Sequence, residues 1–259
     1  MRKTRIIGVT GIFIFLPIIL MAGEKPTVHV AGLRIVGPGY GLNGTELRAF
    51  VQQSGTTLAL VVEAPENKKI VDVDDSKCSL MEFTDDKGHN LLDGVDWGGF
   101  PKVSEDSRFA LVEVSSKIRP SPDAIRIHAR GTVRLRIAVS TVTEMIDNLK
   151  LQVGAEARFR QEIIQVMKVQ SEDDGLTLVL QISRDLKNNM KDIRFFDVQG
   201  NPVEIWGRGV FTFGNASQIE YNLDTKSEPE ALKIEIDLWQ ELEILDVPFE
   251  ITTGVGFGG

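Results

Sequence analysis

The residues of this chain best suited to chemistry fall into three groups: two tryptophan-glycine motifs, several runs of aspartate, and three histidines with a single cysteine. Trp97-Gly98-Gly99-Phe100 and Trp206-Gly207-Arg208-Gly209-Val210-Phe211 occupy corresponding places in the two halves. An exposed indole beside glycines offers a flat stacking platform for a sugar ring or a partner's side chain, because glycine lets a ligand come close to the backbone. Trp97, Phe100, Trp206 and Phe211 are therefore the candidate ligand-binding residues. The plainer expectation is that each Trp plugs a core while its glycines permit a bend in the strand. Trp239 has no aromatic counterpart in the first half.

Asp72, Asp74 and Asp75 precede one expected strand, and Asp85 and Asp86 follow it. Calcium needs six to eight converging oxygen ligands, so Asp72, Asp74 and Asp75 are the candidate metal ligands. The spacing is not that of an EF-hand, and solvated loops are the simpler expectation, as for the run Glu172-Asp173-Asp174 beside Gly175. His29, His89 and His128 show no HExxH pattern, and neither a GxSxG elbow nor a Cys-His signature is present. Cys78, followed by Leu80 and Phe83, is expected as a packed strand cysteine rather than a nucleophile. Gly37-Pro38-Gly39-Tyr40-Gly41 runs into Leu42 rather than into a helix carrying Lys and Ser, so it is not a phosphate-cradling loop. The expectation is a protein without catalytic residues or cofactor.

The chain begins with Arg2, Lys3 and Arg5, then an uncharged stretch over residues 6–21, then Ala22 and Gly23. This order of basic, apolar and small residues is that of a secretory signal peptide over residues 1–23. The stretch is short for a spanning helix and is interrupted by Gly8, Gly11 and Pro17, so no stable membrane span is expected after cleavage. Removing the leader takes away three basic and no acidic residues, and the net charge moves from −8 to −11. With no Lys/Arg cluster, the phosphate neutralisation on which nucleic-acid binding depends is missing. An exported chain with one Cys has no internal disulfide, so its cores must hold it together.

Behind these residues the dominant pattern is period-two alternation bounded by Gly, Pro, Asn and Asp, which predicts strands. They are expected at 56–64, 77–83, 108–114, 124–129, 132–139, 176–182, 192–196, 218–223, 232–238 and 242–247. Helical spacing is best at 143–150. The halves match in order: Gly55, Thr57, Leu58 and Leu60 with Gly175, Thr177, Leu178 and Leu180; Phe83, Asp85 and Gly88 with Phe195, Asp197 and Gly200; Ser107, Phe109 and Leu111 with Ser217, Ile219 and Tyr221; and Ala124, Ile125 and Ile127 with Ala231, Leu232 and Ile234. Such self-similarity points to tandem copies of one module.

Short strands at this spacing predict an all-β chain of two antiparallel sandwiches. The pattern resembles, at the level of architecture, the immunoglobulin-like and fibronectin type III-like modules of bacterial envelope and extracellular proteins. The antibody Cys-Trp-Cys set is absent, so the resemblance implies a scaffold for spacing, adhesion or docking and assigns no binding residue. The expected organisation is a leader at 1–23, a sandwich at 24–141, a linker or short helix at 142–150, a second sandwich at 151–253 and a Gly-rich tail at 254–259. The expected role is an exported, periplasmic or extracellular, non-catalytic binding, adhesion or spacer protein whose partner is an envelope protein or a glycan. The alternatives are a carbohydrate-binding accessory protein and an extracellular hydrolase with an unrecognised site.

Overall fold

A computed structural model describes residues 25–37, 54–98, 101–172, 175–225 and 229–255. The expected leader at 1–23, Phe100 and residues 256–259 of the tail lie outside the described residues. The chain is almost all antiparallel β-structure: β1 (Thr27–Val36), β2 (Gly55–Glu63), β3 (Lys69–Val73), β4 (Ser79–Asp85), β5 (Lys102–Val103), β6 (Phe109–Ser116), β7 (Arg126–Ala138), β8 (Ser140–Lys150), β9 (Glu156–Phe159), β10 (Glu162–Glu172), β11 (Gly175–Ser183), the short helix α1 (Arg184–Asn189), β12 (Met190–Phe196), β13 (Pro202–Phe213), β14 (Ala216–Asp224), β15 (Ala231–Gln240) and β16 (Glu243–Gly254). No helix among the described residues is long and apolar enough to cross a membrane.

Two cores organise these strands. In the first, β1-β2-β6-β5 faces a layer in which β7 lies between β16 on one side and β3 and β4 on the other. Alternation drives the packing: Leu58, Leu60 and Val62 of β2 and Val112 and Val114 of β6 turn inward against Val133, Leu135 and Ile137 of β7. In the second, β8-β15-β12 is joined through β13 to β14-β11-β10-β9. Leu178, Leu180, Ile219 and Tyr221 of that second layer meet Phe195, Ile234 and Ile236.

The same local devices recur in both. Gly55 and Gly175 open β2 and β11 at φ +143° and +150°. A Cβ on either would stand 2.0 Å from the carbonyl oxygen of Ser116 or 2.2 Å from that of Leu223. Leu60 and Leu180 each sit beside a bulge in the neighbouring strand, between Val30 and Gly32 or between Val166 and Lys168. Asp85 and Asp197 each accept a backbone N–H four residues on, from His89 at 2.8 Å and from Asn201 at 2.8 Å. The turns close at Gly88 (φ +81°) and Gly200 (φ +91°). The register of the third expected match is corrected: Leu58 pairs with Val114 where Leu178 pairs with Tyr221. Val112 and Val114 therefore stand where Ile219 and Tyr221 stand, and Phe109 is exposed.

Two expected boundaries are also corrected. Residues 142–150 are neither linker nor helix but most of β8. Ile146 and Leu149 are three apart and both buried because the register with β15 shifts between Ile234 and Leu232, and that bulge mimics helical spacing. The last strand, assigned above to the second sandwich, returns to the first. β16 pairs with β7 from Glu243–Ile137 to Gly254–Arg126, bringing Val247 and Phe249 into the first core. Gly131 permits this, since a Cβ there would lie 2.9 Å from the Phe249 ring and 2.3 Å from the Ser79 carbonyl oxygen. It also lets β7 run unbroken where two strands were expected.

The junction follows from these pairings. Ile137 faces Glu243 and Ser140 faces Gln240, three positions on along each strand, so the register is unchanged from β7–β16 into β8–β15. The Val139 N–H donates to the Gln240 carbonyl at 3.2 Å across the crossing point. One antiparallel ribbon thus runs through both layered units. A second tie braces it: the Arg136 guanidinium donates to Asp72 Oδ2 and to the Asn188 carbonyl, both at 2.8 Å.

Candidate functional site: an exposed aromatic strand

β13 is built from residues that favour strands, Val203, Ile205, Trp206, Val210, Phe211, Thr212 and Phe213. It turns into β14 through Gly214-Asn215, with Gly214 at φ +54° supplying the left-handed position such a two-residue turn needs. β14 fixes which way β13 faces. Arg208, Val210 and Thr212 lie opposite Tyr221, Ile219 and Ser217, which are buried, so they share the core side of the sheet. Gly207, Gly209, Phe211 and Phe213 lie opposite Asn222, Glu220, Gln218 and Ala216 on the outer side. Trp206 is the extra residue of a bulge between Ile205 and Gly207.

Almost all of this strand is open to solvent. Trp206 is 62% exposed, Phe211 67%, Val210 48% and Phe213 43%. The Phe211 and Phe213 rings sit 5.8 Å apart at 37°, side by side on the outer face. Gly207 keeps that face low: a Cβ would meet the Asn222 amide at 2.6 Å, and the Asn222 oxygen accepts from Thr177 Oγ1 at 3.1 Å. Arg208 lies 5.6 Å from the centre of the Tyr221 ring on the other face. The Tyr221 hydroxyl is fully buried without a hydrogen bond among the described residues, and burial pushes its pKa up to about 12.

The other candidates are placed differently. Trp97 is half-buried, packs against the first core and presents an edge to Phe249 at 6.4 Å. The two Trp-Gly motifs therefore present one packed and one exposed indole. Trp239 is buried, with the Lys191 ammonium 5.3 Å from its ring. It forms part of a cleft of about 550 Å3 between the two units, lined also by Asp72, Glu105, Arg136, Lys191 and Asp192. Asp72 is paired with Arg136, whereas Asp74 accepts from Ser76 Oγ at 2.7 Å and Asp75 starts a 3-10 turn. The three are not brought together, and no group of three or more acidic, His or Cys side chains among the described residues could hold a metal ion.

The second acidic pair anchors turns. Asp85 accepts N–H groups from Lys87 (2.9 Å), His89 (2.8 Å) and Ser121 (2.8 Å). Burial raises its pKa, but these hydrogen bonds, those from Ser121 foremost, outweigh it and hold the carboxyl well below the usual range. Asp86 accepts from Ile125 and Arg126. Burial pushes the Cys78 thiol up, and its sulfur accepts the Arg134 N–H at 3.4 Å. His128 spans β7 and β16 through Thr252 at 3.2 Å. Sequence reasoning omitted Ile205, Val210 and Phe213 from the strip. The available signal was that apolar residues between 203 and 213 occupy both faces of one strand, leaving no polar face for solvent. The chain matches no protein-family model, no curated protein and no solved structure.

Proposed function

We propose that this chain is an exported, non-catalytic binding protein of the cell envelope, periplasmic or extracellular, in which two tandem immunoglobulin-like sandwiches display β13 to an envelope protein or glycan. The observation that carries the reading is the concentration of exposed Ile205, Trp206, Val210, Phe211 and Phe213 on a single strand. Contiguous exposed apolar patches are uncommon on monomers and mark interaction sites. The duplication is supported by the paired devices at Gly55 and Gly175 and at Asp85 and Asp197. In this scheme the first module borrows β16, so the modules are interlocked and not strung on a linker. The continuous ribbon and the Arg136 brace suit a spacer that must hold a fixed angle. Export rests on the leader at 1–23 and is tested by the N-terminal sequence and cell fraction of the native protein, with Glu24 expected as the first residue.

The binding reading is tested with Trp206→Ala and Phe211→Ala, whose side chains are mainly in solvent. Both variants are expected to melt close to the parent while losing retention on the native envelope fraction. Equal retention by parent and variants would overturn the assignment to β13. A second reading, a carbohydrate-binding accessory protein, is favoured by the tilted Phe211–Phe213 pair beside Gly207 and Gly209, a low apolar face on which a sugar ring can stack. Polysaccharide should then quench Trp206 fluorescence, and an unchanged spectrum across a polysaccharide panel would dismiss it.

A further inference from the structure

We infer that β13 is a self-association edge, which pairs antiparallel with β13 of a second copy of this chain; the inference rests on the reading of β13 as the recognition strand. Among the described residues, β12 pairs with β13 only at Pro202 and Val203, whereas β14 follows the other side from Glu204 to Phe213. From Glu204 onward one side of the strand is therefore an open edge. Long apolar edges of this kind template pairing with another strand. Natural proteins usually blunt them with charge or proline, yet between Ile205 and Phe213 the only charged residue is Arg208.

The sequence of the strand is complementary to itself. A two-fold axis through Gly209 sets Arg208 against Val210 on the core side, so the two arginines do not face each other directly. The same axis sets Phe211 against Gly207 on the outer face twice, so each ring lies over a glycine of the other copy, a favourable way to cover an edge glycine. Arg208 is drawn towards Tyr221 on the core side, which leaves the outer face to Phe211 and Phe213. The area is also sufficient. Trp206, Phe211 and Phe213 together expose roughly 350 Å2 per chain, taking about 200 Å2 for a whole aromatic side chain. Two copies, with Ile205, Val210 and the paired backbone, reach on the order of 1,000 Å2, the lower limit of a specific interface. A symmetric pair is the common closed assembly of a soluble chain.

The test is sedimentation velocity on the protein purified after export, over a wide concentration range. The parent should pass from one chain to two as concentration rises. Phe211→Glu should raise the dissociation constant by at least about thirty-fold, the scale of an aromatic hot spot, and Val210→Lys, which sets a second cation against Arg208 of the other copy, should raise it too. Val210→Glu should weaken the pair less than Val210→Lys, because the register places each new Glu opposite Arg208 of the other copy. A parent that stays a single chain at every concentration, or a Val210→Glu pair weaker than the Val210→Lys pair, overturns the inference. The parent measurement requires no variant to fold. A single chain whose Trp206 is open to acrylamide would sink the dimer while leaving the recognition strand intact; a single chain with Trp206 shielded would sink both.

Discussion

Phe249→Ala tests where the C-terminal strand belongs. Phe249 is 6% exposed, packs over Gly131 and meets the edge of Trp97 at 6.4 Å, all within the first core. Truncating a buried Phe removes its transfer free energy and leaves a cavity that Gly131 cannot fill, a loss of about 3–5 kcal/mol. Domains have only about 5–15 kcal/mol in hand, and a loss of that size lowers the melting temperature of a module of about 100 residues by more than about 12 °C. The assay is amide hydrogen exchange read strand by strand. Protection in β2 and β6 should fall sharply, while β11 and β14 keep theirs because their core is separate. Loss of protection in β11 and β14 with β2 and β6 unchanged, or a destabilisation under about 1 kcal/mol, would refute the placement of β16.

Tyr221→Phe removes a buried hydroxyl that has no hydrogen bond among the described residues, so denaturant unfolding should show no loss beyond about 0.5 kcal/mol and up to about 1 kcal/mol of gain; a larger loss would mean that the hydroxyl is bonded. Asp85→Asn replaces an acceptor with an amide whose N–H groups cannot satisfy the Ser121 N–H, and should cost about 1–3 kcal/mol at neutral pH. Because the folded Asp85 pKa is depressed, its stabilisation is complete above the ordinary carboxylate pKa near ~4 and fades as pH falls below it. The parent should therefore lose more stability than Asp85→Asn on acidification, and parallel pH curves would contradict this. Gly55→Ala and Gly175→Ala drive a Cβ into backbone carbonyls and should each cost at least about 2 kcal/mol by thermal unfolding. Gly88→Ala, with open space around it, should cost only about 1–2 kcal/mol for its positive φ.

Much of this frame was legible because half-buried antiparallel strands write their burial into the sequence every second residue. Leu58, Leu60 and Val62 announce β2, and Val133, Leu135 and Ile137 announce β7. Misreadings arose where that period breaks. The bulge that puts Ile146 and Leu149 on one face produced a helical spacing in β8. β13 shows no such period because its exposed face is apolar as well. Ser183, which caps α1 by accepting the Leu186 N–H, gave a start signal too short to register. The return of β16 to the first core could not be read from alternation, which gives the buried face of a strand and not its partner. The Trp pair shows the same limit at the candidate site: composition placed both indoles beside glycine, and only tertiary packing separates Trp97 against Phe249 from Trp206 in solvent.

The central claim is that β13 carries an open recognition surface, and acrylamide quenching of tryptophan fluorescence meets it most directly. In dilute solution, where the chain is single, Trp206 should supply the most readily quenched component, and Trp206→Phe should abolish that component and leave the less accessible emission of half-buried Trp97 and buried Trp239. An unchanged quenching profile in Trp206→Phe would contradict the account, because β13 would then be covered within its own chain.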